Sequence, residues 1–70
     1  MKLKKLVKNI SYGTFVRVYI DSENTFIEYT SEVLFNMLKH EEVTNFKVII
    51  FEPYYESAND YGLKVFCTNK

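Results

Sequence analysis

Two groups of residues in this 70-residue chain have the types and spacing to do chemistry. The first is a run of tyrosines and carboxylates: Tyr54, Tyr55, Glu56, Asp60 and Tyr61. Tyrosine buries a large ring while keeping a polar tip, and carboxylates beside it suit a basic partner, so this run reads as a protein-contact patch. The second is spread along the chain: Phe15, Arg17, Tyr19, Phe26, Phe51 and Phe66, with Lys47 and Lys64. Aromatic rings interleaved with cations could stack bases and hold phosphates, or cover another protein surface.

Groups that would carry catalysis do not converge. His40 is the only histidine and lacks the second histidine of a zinc-protease helix. Its place near a helix end suits a favourable charge at the negative pole of the dipole. Cys67 is the only cysteine, which excludes an intrachain disulfide, and it falls on an aliphatic parity that favours a buried thiol. Adjacent Glu41 and Glu42 read as solvated side chains. No glycine-rich phosphate cradle is present. The chain therefore reads as non-enzymatic, with no cofactor and no metal.

The elements that must position these groups follow from periodicity. Leu3, Leu6, Val7 and Ile10 have the spacing of a one-sided helix, predicted over residues 2–9 and ended by Ser11-Tyr12-Gly13. Alternation at the two-residue period predicts strands over residues 14–20, 25–30, 46–52 and 63–68. Asp21-Ser22-Glu23-Asn24 fits a hairpin loop. Thr30-Ser31-Glu32 fits a helix start, with Val33, Leu34, Met37 and Leu38 as its buried stripe and Phe35 at its edge. The run over residues 46–51 is the most apolar and is expected at the centre of the sheet. Pro53 is expected to end it, because proline lacks the ladder donor, and residues 53–61 then form a long loop.

One parity of the strands is aliphatic: Val16, Val18, Ile20, Ile27, Val48, Ile50, Leu63, Val65 and Cys67. The other carries Phe15, Arg17, Tyr19, Phe26, Glu28, Lys47, Ile49, Phe51, Lys64 and Phe66. The expected fold is α+β: a single two-layer domain over residues 1–70 in the order α-β-β-α-β-β. A four-stranded, mainly antiparallel sheet would carry both helices on its aliphatic face. The aromatic face is then left for contact with a partner protein, a second copy as a dimer, or single-stranded nucleic acid.

Charge and composition narrow the classes. Hydrophobic residues reach 47% and aromatics 17%, which argues against disorder. The formal net charge of zero conceals segregation. Residues 1–17 carry five cations and no acid, whereas residues 18–60 hold all nine acids against Lys39 and Lys47. Nucleic-acid binders are usually basic, so neutrality and Glu28 on the aromatic parity count against that partner. The basic start lacks the apolar stretch of a signal peptide, no run is long enough for a membrane span, and lone-cysteine usage fits a cytoplasmic protein.

Three stretches share a cadence: Phe15-Val16-Arg17-Val18-Tyr19-Ile20, then Ile27-Glu28-Tyr29-Thr30-Ser31-Glu32-Val33-Leu34, then Glu42-Val43-Thr44-Asn45-Phe46-Lys47-Val48. In this the chain resembles the short accessory proteins of phages and integrative elements of Gram-positive bacteria, a size class that includes anti-CRISPR proteins. That resemblance implies a non-enzymatic inhibitor working in the host cytoplasm, occluding a host protein by stoichiometric binding.

Overall fold

The computed structural model describes residues 1–40 and 46–69 of the chain, with His40 described in its backbone alone. Residues 41–45, with Glu41 and Glu42 expected as solvated side chains, lie outside the described residues, as does Lys70. The element order is α1 (Leu3–Lys8), β1 (Phe15–Ile20), β2 (Ile27–Thr30), α2 (Ser31–His40), β3 (Lys47–Ser57) and β4 (Asp60–Thr68). This is the expected α-β-β-α-β-β order. The four strands form one sheet in the order β2-β1-β4-β3. The β1–β2 and β3–β4 pairs are antiparallel, and β1–β4 is parallel.

Both helices cover one face. Leu3, Leu6 and Val7 of α1 and Leu34 and Leu38 of α2 close over Val16, Val18, Val65 and Cys67 in one buried cluster. Each such aliphatic side chain contributes roughly 1.5–3 kcal/mol on burial. Local chemistry sets the start of α2. Ser31 is buried and donates its hydroxyl to the Ser11 carbonyl at 2.7 Å, while its amide donates to Thr14 O. Glu32 accepts the Gly13 amide at 3.0 Å. Bonds from its own amide and that of Gly13 hold its carboxyl below the usual carboxylate range. Gly13 takes φ +86°, which explains its place in the reversal after α1.

The structure departs from several of these expectations. First, the most apolar strand is an edge strand; the central pair is β1 and β4. Its edge is occupied at the start by the amino terminus, where Val48 donates to Met1 O and Leu3 donates to Phe46 O. Second, Pro53 does not end β3. An edge strand has one side without a ladder partner, so proline is tolerated there. The predicted loop over residues 53–61 is mostly strand: Ser57 pairs with Asp60 across the two-residue turn Ala58-Asn59.

Third, a register shift between Val48 and Ile50 reverses the parity of β3. Ile50 now stands opposite Phe66 and Phe51 opposite Val65, the reverse of the expected sides. Fourth, the buried stripe of α2 is Ser31, Leu34 and Leu38 with Phe35 half-buried, while Val33 and Met37 face outward. Ile27 is similarly half-exposed rather than core, because β2 is the other edge of the sheet.

Candidate functional site

The face of the sheet opposite the helices is built in rows, because strands in register place alternate side chains side by side. One row is apolar: Tyr19 stands opposite Phe66, and Phe66 opposite Ile50. Phe26, just ahead of β2, extends this row with its ring 5.2 Å from Tyr19. Tyr19 and Phe66 stack at 4.5 Å. The next row is charged: Glu28, Arg17, Lys64 and Glu52 lie across the four strands in order. The third runs Thr30, Phe15, Gly62, Tyr54. Beyond it the hairpin tip adds Glu56 and Asp60 on the same side.

Arg17 is the centre of this face. Its side chain is only 10% exposed, which is rare for an arginine on a sheet face that no described element covers. Each part of its donor fork is used. Nε donates to Glu28 Oε2 at 2.7 Å, Nη1 to Glu56 Oε1 at 2.8 Å and Nη2 to Asp60 Oδ1 at 3.0 Å. The guanidinium lies between two rings, 4.1 Å from the Tyr54 centroid and 4.7 Å from that of Phe26. Tyr54 in turn donates its hydroxyl to Glu28 Oε2 at 3.1 Å. The charge-assisted bonds and ring faces together fix one rotamer.

Gly62 keeps the two central strands close. It sits between Phe15 and Tyr54 in its row, and a Cβ there would come 2.2 Å from the Phe15 carbonyl oxygen, so the absent side chain lets β4 approach β1.

Electrostatics follow from these bonds. Hydrogen bonding to Glu56, then to Glu28, outweighs burial and holds Arg17 fully protonated, well above its ordinary range. Bonding to Arg17 and then to Asp60 lowers the Glu56 carboxyl. Asp60 moves the other way: its bond with Glu56 and its burial raise it, against the pull of Arg17. Burial, with the bond to Glu28 next, raises the Tyr54 phenol.

The predicted contact residues are thus redistributed. Tyr54, Glu56 and Asp60 join Arg17, Tyr19, Phe26, Phe15 and Phe66 on the open face. Tyr55 and Tyr61 pair on the opposite side, with ring centroids 6.2 Å apart. Phe51 lies on that side as well, opposite Val65. The sheet therefore splits Tyr54-Tyr55-Glu56 between its two faces. Cys67 is buried and its thiol is pushed up to about 11, so it is no reactive nucleophile at neutral pH. Three carboxylates do converge, but on a guanidinium that fills the place a cation would take. Among the described residues no cluster of His, Cys, Asp and Glu could hold a metal ion, and no helix is long and apolar enough to cross a membrane.

Sequence reasoning missed Glu28 and Tyr54 as partners of Arg17. The signal for Glu28 was present: a hairpin centred on Ser22 and Glu23 puts residue 17 opposite residue 28, which is the observed pair. For Tyr54 no signal could act once Pro53 was read as a strand end. No family model, curated protein or solved structure matches this chain, so its functional reading rests on these residues alone.

Proposed function

We propose that the protein is a non-enzymatic binding module that occludes a second protein by stoichiometric docking of its open sheet face. One observation carries this reading. Among the described residues no element lies over this side of the sheet, yet it presents Phe15 at 44%, Phe26 at 40% and Ile50 at 54% exposure around an immobilised arginine. Large apolar side chains held in fixed positions are what an interface core requires, since little rotamer entropy is then lost on binding. Strand addition is disfavoured as the mode of capture. The β3 edge is interrupted by Pro53 and by two register shifts, and its start is taken by Met1 and Leu3.

Single-stranded nucleic acid is the weaker reading. Arg17, the cation best placed to meet a phosphate, is already bonded to three carboxylates. The resemblance to phage accessory proteins adds the expectation that the occluded protein belongs to a host cell.

The test is photo-crosslinking from each side of the sheet. A benzoyl-phenylalanine replacing Ile50 should give one discrete protein adduct in lysate of the source organism, and the same probe replacing Tyr55 should give none. Adducts from the Tyr55 site alone would place the contact on the other side and end this proposal.

A further inference from the structure

The rows of the open face narrow the partner, granted that this face is the contact surface. The row of Phe26, Tyr19, Phe66 and Ile50 crosses the strands over about 14 Å, three strand spacings, which is the length of about ten helical residues; Phe26 and Ile50 are exposed at its ends, Phe66 is half-buried and Tyr19 is buried between its neighbours. To one side of it the charged row and the hairpin tip hold Glu28, Glu52, Glu56 and Asp60 against Arg17 and Lys64. The Glu28, Glu56 and Asp60 side chains remain 36%, 56% and 42% exposed although each gives one oxygen to Arg17. To the other side stand Thr68 and Lys47, paired in register, with Glu23 at the cleft beside Ile50 and Phe66 and with Asp21, whose two carboxylate oxygens accept the Thr68 hydroxyl at 2.7 Å and the Asn69 amide at 3.3 Å.

We infer that the open face takes a basic amphipathic helix of the partner protein. Its apolar stripe covers the aromatic row, and its lysines or arginines lie on the flank that faces the hairpin tip. The first argument is charge complementarity: an acid-rich margin beside an apolar row matches a helix with a basic margin beside an apolar stripe. The second is the sheet itself. Its other face already accommodates two helices, whereas both edges are short or interrupted.

A second copy of the chain is the competing occupant. A two-fold axis across the row sets acid margin on acid margin, and an axis along it sets each acid margin over the Thr68 and Lys47 flank, which offers a single cation.

The experiment is an NMR titration of the isotope-labelled chain with three synthetic peptides: a helical Leu/Lys amphipath, its Leu/Glu counterpart, and oligolysine. The Leu/Lys peptide is expected to bind one to one, shifting the amides of Tyr19, Ile50 and Phe66, and to weaken with added salt. Ile50→Lys, a change at an exposed edge position, should weaken that binding about tenfold, a loss of about 1.4 kcal/mol, with the amide spectrum otherwise retained. Tyr55→Ser should leave it unchanged. Equal binding of the Leu/Glu peptide or of oligolysine, or no binding of any peptide, overturns the basic-helix assignment; adducts from the Ile50 site would still stand for the open face. Shifts confined to Phe51, Tyr55 and Tyr61 overturn both.

Discussion

The two faces of this sheet are held by different physics. Beneath the helices, Val16, Val18, Val65 and Cys67 meet Leu3, Leu6, Val7, Leu34 and Leu38 through area and close packing. Nothing there is directional, and an apolar side chain of similar volume and shape would cost little. On the open face the order comes from geometry: one guanidinium, three carboxylates and two rings fix each other's rotamers across all four strands. A domain of this size buries only about 60% of its unfolded surface, so a second organising centre matters. The comparison teaches that a face without a covering layer can still be ordered. It keeps Phe15, Phe26 and Ile50 displayed around a centre where Tyr19 and Tyr54 are buried.

Substitutions on each face should break this contrast in distinct ways. The largest effect is expected for Arg17→Met, which leaves Glu28, Glu56 and Asp60 facing one another without their cation. Chain folded at room temperature should then be a minority by circular dichroism, with partial recovery at acidic pH as the carboxylates protonate. Arg17→Lys should recover less than the charge alone suggests, since an ammonium cannot span three strands or lie flat between two rings. Next comes Gly62→Ala, whose Cβ must push β4 from β1; a loss of about 3 kcal/mol is expected in urea unfolding. Leu34→Ala, in the packed face, should also cost about 3 kcal/mol. Unlike the Arg17 variants, it should leave the near-ultraviolet signal of Tyr19 and Tyr54 intact in the folded fraction.

The pH dependence draws on both layers: Glu32 stands at the start of α2 on the helix side, and Glu56 and Asp60 stand on the open face. Glu32 and Glu56 are held below their ordinary value of 4.5. A depressed folded value means stability that is complete above the unfolded value and lost as pH falls through the folded one. Asp60, raised from 3.8, has the opposite sign and gains relative stability on protonation. Urea midpoints should therefore hold level into the upper carboxylate range, while Asp60 takes its proton, and fall below about pH 4.5. In Glu32→Gln with Glu56→Gln that fall should largely disappear. The smallest effect is expected for Tyr55→Ser, at 73% exposure: a change within about 0.5 kcal/mol by thermal melting.

Much of the architecture was legible in the chain because its signals are local. The 3.6-residue spacing of Leu3, Leu6 and Val7 and the alternation of Val16 and Val18 each declare their element and its buried side. So does the polar Asp21-Ser22-Glu23-Asn24 break, where Ser22 Oγ accepts the amides of Asn24 and Thr25. What escaped depends on tertiary context. Pro53 stops a central strand but not an edge strand, and no local pattern says which β3 is. The shift between Val48 and Ile50 leaves a run of apolar residues whose parity reads equally well either way. The Arg17 cluster needed both answers at once. Its tip ligands Glu56 and Asp60 reach the guanidinium only because β3 and β4 run past Pro53 to the turn at Ala58.

The claim on which the rest depends is that Arg17 is locked at the centre of the open face. Side-chain nitrogen NMR of the guanidinium tests it directly. A slowly exchanging Nε proton and resolved Nη1 and Nη2 signals are expected at neutral pH, because each is bonded to a different carboxylate. A single averaged signal exchanging at the rate of a solvated arginine would contradict it.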